Sequence, residues 1–166
     1  METVATFNKG SGYSKGDLIA SGTPIILYGR LYTKYETSIT EVDTFVDVKQ
    51  GSVYSKGEKL LFLHRVKQQR ILQEPQLLKI LGVLLGGDLN VVTPNKDIDS
   101  AFLALSISNG ESHMELAKKA QGKSVVHIHN AEIIALNIPF PSKVEQSRIS
   151  AYFSTLDHLI TLHQRK

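Results

Sequence analysis

The feature that most constrains this chain lies near its C-terminal end, where Pro139-Phe140-Pro141 precedes an apolar pattern that nothing interrupts. Proline fixes its own backbone and biases the residue before it away from helix, so this segment separates two regimes. Ser142 and Glu145 follow with the S-x-x-E spacing of a capping box, in which each side chain satisfies an orphan backbone N–H of the first turn. Ile149, Tyr152, Phe153, Leu156, Leu159, Ile160 and His163 then recur near three-and-four spacing, the period of one helix face. No Gly, Asn or Pro stops the pattern before Lys166. The expectation is a projecting helix of about 24 residues, about 36 Å long. Within its stripe, Ile149, Phe153, Leu156 and Ile160 keep the four-three-four rhythm of a helix–helix seam, which Leu159 widens.

Residues 1 to 138 read differently. They are dense in Gly, Ser and Thr, with short runs of β-branched and aromatic residues between turn formers. Such runs read as strands: Thr23 to Tyr28, Val42 to Val48, Leu89 to Val92, Ser124 to Ile128 and Ile133 to Ile138. Ile98, Phe102, Leu105 and Ile107 predict a helix from Ile98 to Ser108, stopped by Asn109-Gly110. A second short helix is expected from Ser112 to Ala120. The pentapeptide Tyr13-Ser14-Lys15-Gly16-Asp17 returns as Tyr54-Ser55-Lys56-Gly57-Glu58, which reads as two similar turns leading into strands rather than a solenoid. The fold class expected is α+β: a mixed-sheet domain over 1–138, then a junction and the start of a coiled-coil helix over 139–166.

Composition narrows the function. The chain has 166 residues, 42% hydrophobic and 21% charged, which suits one globular domain with an appended element. It has no cysteine, so a disulfide framework and a thiolate metal site are both excluded. No apolar run is long enough to span a bilayer, and Met1-Glu2-Thr3-Val4 does not open a signal peptide, so a cytoplasmic location is the default. A net charge of +3 and a pI near 9.0 lean mildly toward a polyanionic partner.

Several motifs invite chemistry that the rest of the sequence does not support. His127 and His129 share a face of a presumed strand, as two metal ligands would, but no carboxylate lies at a ligand spacing; a structural or hydrogen-bonding role is expected, and no metal or cofactor. Asn137-Ile138-Pro139-Phe140 is one residue short of the Asn-Pro-Pro-Phe loop of DNA amino-methyltransferases. Ile138 removes the proline pair, and no Gly-rich cofactor loop follows a strand. Gly86-Gly87-Asp88 reads as a tight turn. No nucleophile–base pair stands out, so a binding module is favoured over an enzyme. Lys15, Arg30, Tyr32 and Lys34 crowd the N-terminal third, and Lys123, Ser124 and His127 follow Gly122. Lys and Arg neutralise phosphates, whereas Tyr, Ser and His in loops reach base edges.

The segment from Ala120 to Ile128, then Leu136-Asn137-Ile138-Pro139-Phe140-Pro141 and Glu145-Gln146-Ser147-Arg148-Ile149, resembles the target-recognition domain of type I restriction-modification specificity subunits. Val4 to Gly10, Pro24 to Gly29 and Tyr54 to Phe62 are similar to its strands and turns. The resemblance implies sequence-specific recognition of one half of a split double-stranded DNA target by a non-catalytic subunit. It also implies docking of a methyltransferase (modification) subunit and a motor-nuclease (restriction) subunit. A full subunit carries two recognition domains and two long helices, and this chain resembles half of one. Ile149, Phe153, Leu156, Leu159 and Ile160 would then form a subunit interface, open to antiparallel self-association. A scaffold that docks partners without binding DNA is the alternative.

One stretch departs from the family. After Phe62 the family pattern runs close to Pro-Ala-Ser-Gly-Glu-Thr, but Leu63-His64-Arg65-Val66-Lys67-Gln68-Gln69-Arg70-Ile71 stands there. Codons exist for these residues that, read one base earlier, give Pro-Ala-Ser-Gly-Glu-Thr-Ala-Glu-Asp. The other account is a genuine insert, an amphipathic helix broken at Pro75. A shifted frame predicts a poorly packed or exposed apolar segment within 63–85. Resequencing the coding DNA decides between the two: a shifted frame requires a single-base change that restores the Ser-Gly-Glu-Thr text, and its absence ends that account.

Overall fold

The computed structural model describes residues 1–66, 74–120 and 126–164. In chain order it contains β1 (Ala5–Lys9), β2 (Leu18–Ile19), β3 (Thr23–Ile26), α1 (Tyr28–Thr33), β4 (Ser38–Ile39), β5 (Phe45–Val46), β6 (Lys59–Leu63) and β7 (Arg65–Val66). There follow β8 (Gln76–Leu78), β9 (Leu84–Leu85), β10 (Leu89–Pro94), α2 (Ser100–Ser108), α3 (Gly110–Ala120), β11 (Val126–His127), α4 (Asn130–Ile134) and α5 (Lys143–Gln164). No helix among the described residues is long and apolar enough to cross a membrane.

The main sheet has the order β1-β10-β6-β8-β4 and is antiparallel except for the β8–β4 edge. Both faces of its central strand β6 are covered, because consecutive residues Leu60, Leu61, Phe62 and Leu63 are all buried. The core they form with Leu77, Leu78, Leu89, Val91 and Val92 continues into Leu103 and Ile107 of α2 and Leu116 of α3. A smaller sheet, β2-β5-β3-β9, encloses its own cluster of Tyr13, Ile25, Leu27, Val46 and Leu84. The fold is thus α+β with mixed sheets and a long C-terminal helix.

The two sheets meet at a close backbone crossing. Gly86-Gly87-Asp88 carries the chain from β9 to β10, with Asp88 in the left-handed region at φ 59°. Gly86 N–H donates to Ile26 (2.9 Å), and Ser11 N–H donates to Leu85 (2.8 Å). The approach is so tight that a Cβ on Gly10 would lie 1.9 Å from the Gly86 carbonyl oxygen. Only glycine fits there.

Several sequence expectations are corrected. Ile133 to Ile138 is not a strand: Asn130–Ile134 is helix α4, entered where Glu132 accepts from the His129 N–H at 2.7 Å. Ile133, Leu136 and Ile138 are buried, so an irregular path meets the same apolar demand. The strand expected through Tyr28 stops at Ile26, and Tyr28 opens α1 instead. Of Val42 to Val48, only Phe45–Val46 pairs. Helix α2 begins at Ser100 because Asp99 caps it, accepting from Phe102 N–H at 2.9 Å. The apolar run expected to be poorly packed or exposed contributes β8 and β9, and Leu77, Leu78, Val83, Leu84 and Leu85 are fully buried. Strand β7 pairs before it, and residues 67–73, most of the stretch where an amphipathic helix was the other expectation, lie outside the described residues. Leu81 alone of that leucine-rich run stands well exposed, at 69%. Most of the basic run, Lys67 to Arg70, lies outside the described residues.

The crossing yields a paired test. Gly10→Ala must push β1 off the Gly86 carbonyl and is expected to lower unfolding stability by more than about 2 kcal/mol. Gly12→Ala, with nothing within 4 Å of its added Cβ, should change stability by less than about 1 kcal/mol. Urea denaturation of both variants checks the contrast.

Candidate nucleic-acid interface

The seven residues expected to meet DNA fall into three places. Arg30, Tyr32 and Lys34 lie together on α1 and the residue after it. Lys15 is exposed on a short 3₁₀ turn (Lys15–Asp17) that leads into β2. His127 is exposed on β11, which pairs antiparallel with β7. Lys123 and Ser124 lie outside the described residues.

Helix α1 is held from below by Gln76 of β8. Its buried amide donates to the Leu31 carbonyl (2.9 Å), and its Oε1 accepts from Glu36 N–H (3.3 Å). On the helix, Tyr32 is half-buried and stacks on Tyr28, with ring centroids 6.1 Å apart and planes inclined by 12°. Lys34 remains largely solvated, its ammonium 3.3 Å from Glu36.

Arg30 departs from the role expected of it. Its side chain is only 6% exposed; its guanidinium meets Glu36 at 2.8 Å and Asp43 at 3.4 Å, and donates to the Glu41 carbonyl at 2.9 Å. A hydrogen bond from its own backbone and then the one from Arg30 hold the Asp43 carboxyl below the usual range. A guanidinium so occupied organises the 36–43 loop and is not presented to a phosphate. The run of acids Glu36, Glu41 and Asp43 was the signal for this in the sequence.

At β11, three imidazoles converge. The His64 ring lies 5.5 Å from that of His127 and 4.6 Å from that of His129, centroid to centroid, and His127 and His129 are 6.2 Å apart. His64 Nδ1 is 2.8 Å from the Ile128 carbonyl, which also accepts from the fully buried Asn90 amide at 2.7 Å. Burial pushes the His64 pKa down. Nothing in the sequence tied His64 to the later pair.

The C-terminal helix is fixed at its base and open beyond it. The capping box forms: Ser142 N–H donates to Glu145 at 3.0 Å, and Glu145 N–H reaches the Ser142 hydroxyl at 3.4 Å. Buried Gln146 then accepts from Asp99 N–H (2.9 Å) and donates to the Pro141 carbonyl (2.9 Å), while Ser147 donates to the Asp99 carboxylate (3.0 Å). Farther along, Phe153, Asp157 and Ile160 face Ala101, Ala104 and Leu105 across an open groove. Of the seam residues, Ile149, Phe153, Leu159 and Ile160 are 37–54% exposed and Leu156 is half-buried. At the groove's edge the Tyr35 pKa is pushed up to about 12 by burial and by the Glu74 and Asp157 carboxylates.

An α+β domain with mixed sheets carries a C-terminal helix clamped at its foot and apolar beyond it. The family model for the type I restriction modification DNA specificity domain matches residues 4–166. The chain belongs to that family. No curated protein sequence matches it. Among solved structures, the fold is similar to the HsdS subunit from Thermoanaerobacter tengcongensis, with a TM-score of 0.63 and 14% identity over 98% of this chain and 37% of that one. It is likewise similar to the type I restriction-modification S subunit from M. genitalium, with a TM-score of 0.60 and 13% identity over 95% of this chain and 37% of that one. A chain from a study of type I R-M complex assembly and conformational transition gives a TM-score of 0.67 and 16% identity, over 99% and 38%. The chain therefore spans little more than a third of the length of these subunits.

The reassignment of Arg30 is testable. Arg30→Ala strips Glu36 and Asp43 of their shared cation. Because those partners are partly solvated, it should cost about 2 kcal/mol of stability. DNA affinity per folded molecule should stay at the wild-type value, measured by anisotropy alongside thermal unfolding.

Proposed function

We propose that this chain reads one half of a split double-stranded DNA target as the non-catalytic specificity component of a type I restriction-modification assembly. The family match over residues 4–166 is the observation that carries the reading. Lys15 and Lys34 hold phosphates, and Tyr32 and His127 approach base edges, joined by Lys123 and Ser124. The exposure of Lys15, Lys34 and His127 supports these roles; in this reading buried Arg30, paired with Glu36, orders its loop instead of holding a phosphate. Methyltransferase and motor-nuclease subunits are the partners that would act on the target so read.

The apolar stripe of α5 beyond its foot serves assembly. Exposed Ile149, Phe153, Leu159 and Ile160 together with Leu156 would each gain roughly 1.5–3 kcal/mol if fully buried, less the burial each already has. In this reading a second copy supplies the covering helix, antiparallel, and places two recognition domains at opposite ends of the pair. Sedimentation should show a dimer at micromolar concentration that Leu156→Asp dissociates. A wild-type monomer, alone and with the methyltransferase subunit, would contradict it.

DNA affinity should fall steeply with salt, because each neutralised phosphate releases counterions. Lys34→Ala should weaken binding on all sequences alike and reduce the log–log salt slope by about 1. Tyr32→Ala should change the preferred site instead. Equal losses on every sequence from both substitutions would overturn the division of roles, and no binding at low salt would favour a scaffold that only docks partners.

A further inference from the structure

The histidine cluster, of which the DNA reading uses only His127, points to a second chemistry. His127 and His129 alternate across Ile128 and lie on one side of the chain, the two-residue spacing that sets two ligands on one face of a strand. The fold adds what the sequence spacing lacked, a third imidazole from the end of β6. His64 is anchored there by two backbone bonds, its N–H to the Asp88 carbonyl (3.0 Å) and its carbonyl to the Ile128 N–H (2.9 Å).

The chemistry of His64 is specific. Its Nδ1 faces the Ile128 carbonyl, an oxygen that can only accept, so Nδ1 carries the proton and in the neutral ring Nε2 keeps its bare lone pair. A backbone carbonyl that fixes the tautomer and turns the other nitrogen outward is the supporting contact that metal-ligating histidines use. The three centroid separations, 4.6, 5.5 and 6.2 Å, bracket the spacing of about 5 Å that three imidazoles adopt around one tetrahedral zinc. As the rings stand, no three ligand atoms of the described residues meet at one point. His127 and His129 are exposed, so their rings can turn toward the fixed Nε2 of His64 without disturbing the core.

We propose that His64, His127 and His129 form a binding site for one late first-row divalent cation of the zinc or nickel type, with water completing the coordination. Neutral nitrogen ligands select such ions over magnesium, which demands oxygen. The ion would tie the end of β6 to the chain leaving β11, beside the Val66–Val126 and Arg65–His127 pairs of β7 and β11.

Calorimetric titration of the chelator-treated full chain with Zn²⁺, Ni²⁺ and Mg²⁺ tests this. One Zn²⁺ or Ni²⁺ per chain is expected, with a rise in melting temperature, and no heat with Mg²⁺. His127→Gln and His129→Gln, both at exposed positions, should each weaken the ion by about tenfold or more. Substituting His158 and His163 of α5 together should leave it unchanged. Absence of saturable binding, or binding that survives the double variant at 127 and 129, overturns the site.

Discussion

The structure depends on the clamp that Gln146 makes at the foot of α5. A side-chain amide offers one acceptor and two donors, and here it accepts from the Asp99 N–H and donates to the Pro141 carbonyl. Asp99 is also the N-cap of α2 and takes the Ser147 hydroxyl on its other oxygen. Two helices therefore start from one shared set of hydrogen bonds, with Phe102 and Phe140 packed beside it at 6.3 Å. Buried, satisfied polar groups fix an angle in a way apolar packing does not, because a shifted helix would leave several of them unpaired. Without the clamp, α5 would be an appended peptide; with it, α5 is a lever of fixed direction.

That clamp explains the motif on which the resemblance rested. Glu145 closes the capping box, Gln146 locks the helix to the domain and Ser147 completes the Asp99 pair, so Glu145-Gln146-Ser147 is three consecutive structural contacts. The same carboxylate links fold and pH. Burial of Asp99 raises its pKa, but the Phe102 N–H and the Ser147 hydroxyl outweigh that and lower it overall. A carboxylate with a depressed folded-state pKa contributes stability above its unfolded pKa of about 3.9 and loses it as pH falls through the lower folded value, so the clamp is secure at neutral pH.

What the sequence revealed followed the strength of local signals. The capping box, the α2 stop at Asn109-Gly110 and the Leu89 to Val92 strand are local, and each formed within a residue or two of its expected bounds. Ile133 to Ile138 misled because an apolar run fits a buried irregular path as well as a strand. Leu77, Leu78 and Val83 to Leu85 were misread because their burial is decided by β6 and β3, partners far away in the chain. The same holds at the surface: Lys34 and His127 were legible as exposed polar residues, Arg30 was marked as paired only by the acids that follow it, and His64 had no local mark at all. Residues 121–125, which hold Lys123 and Ser124, lie outside the described structure.

If this chain reads DNA for a modification enzyme, the sequence it reads will be written on the DNA. The most direct test is to co-express the chain with the cognate methyltransferase subunit and map methylated bases across the host genome. Methylation confined to one recurring split sequence, and lost when the chain is omitted, is the predicted result. No methylation, or the same methylation pattern without the chain, would contradict the account.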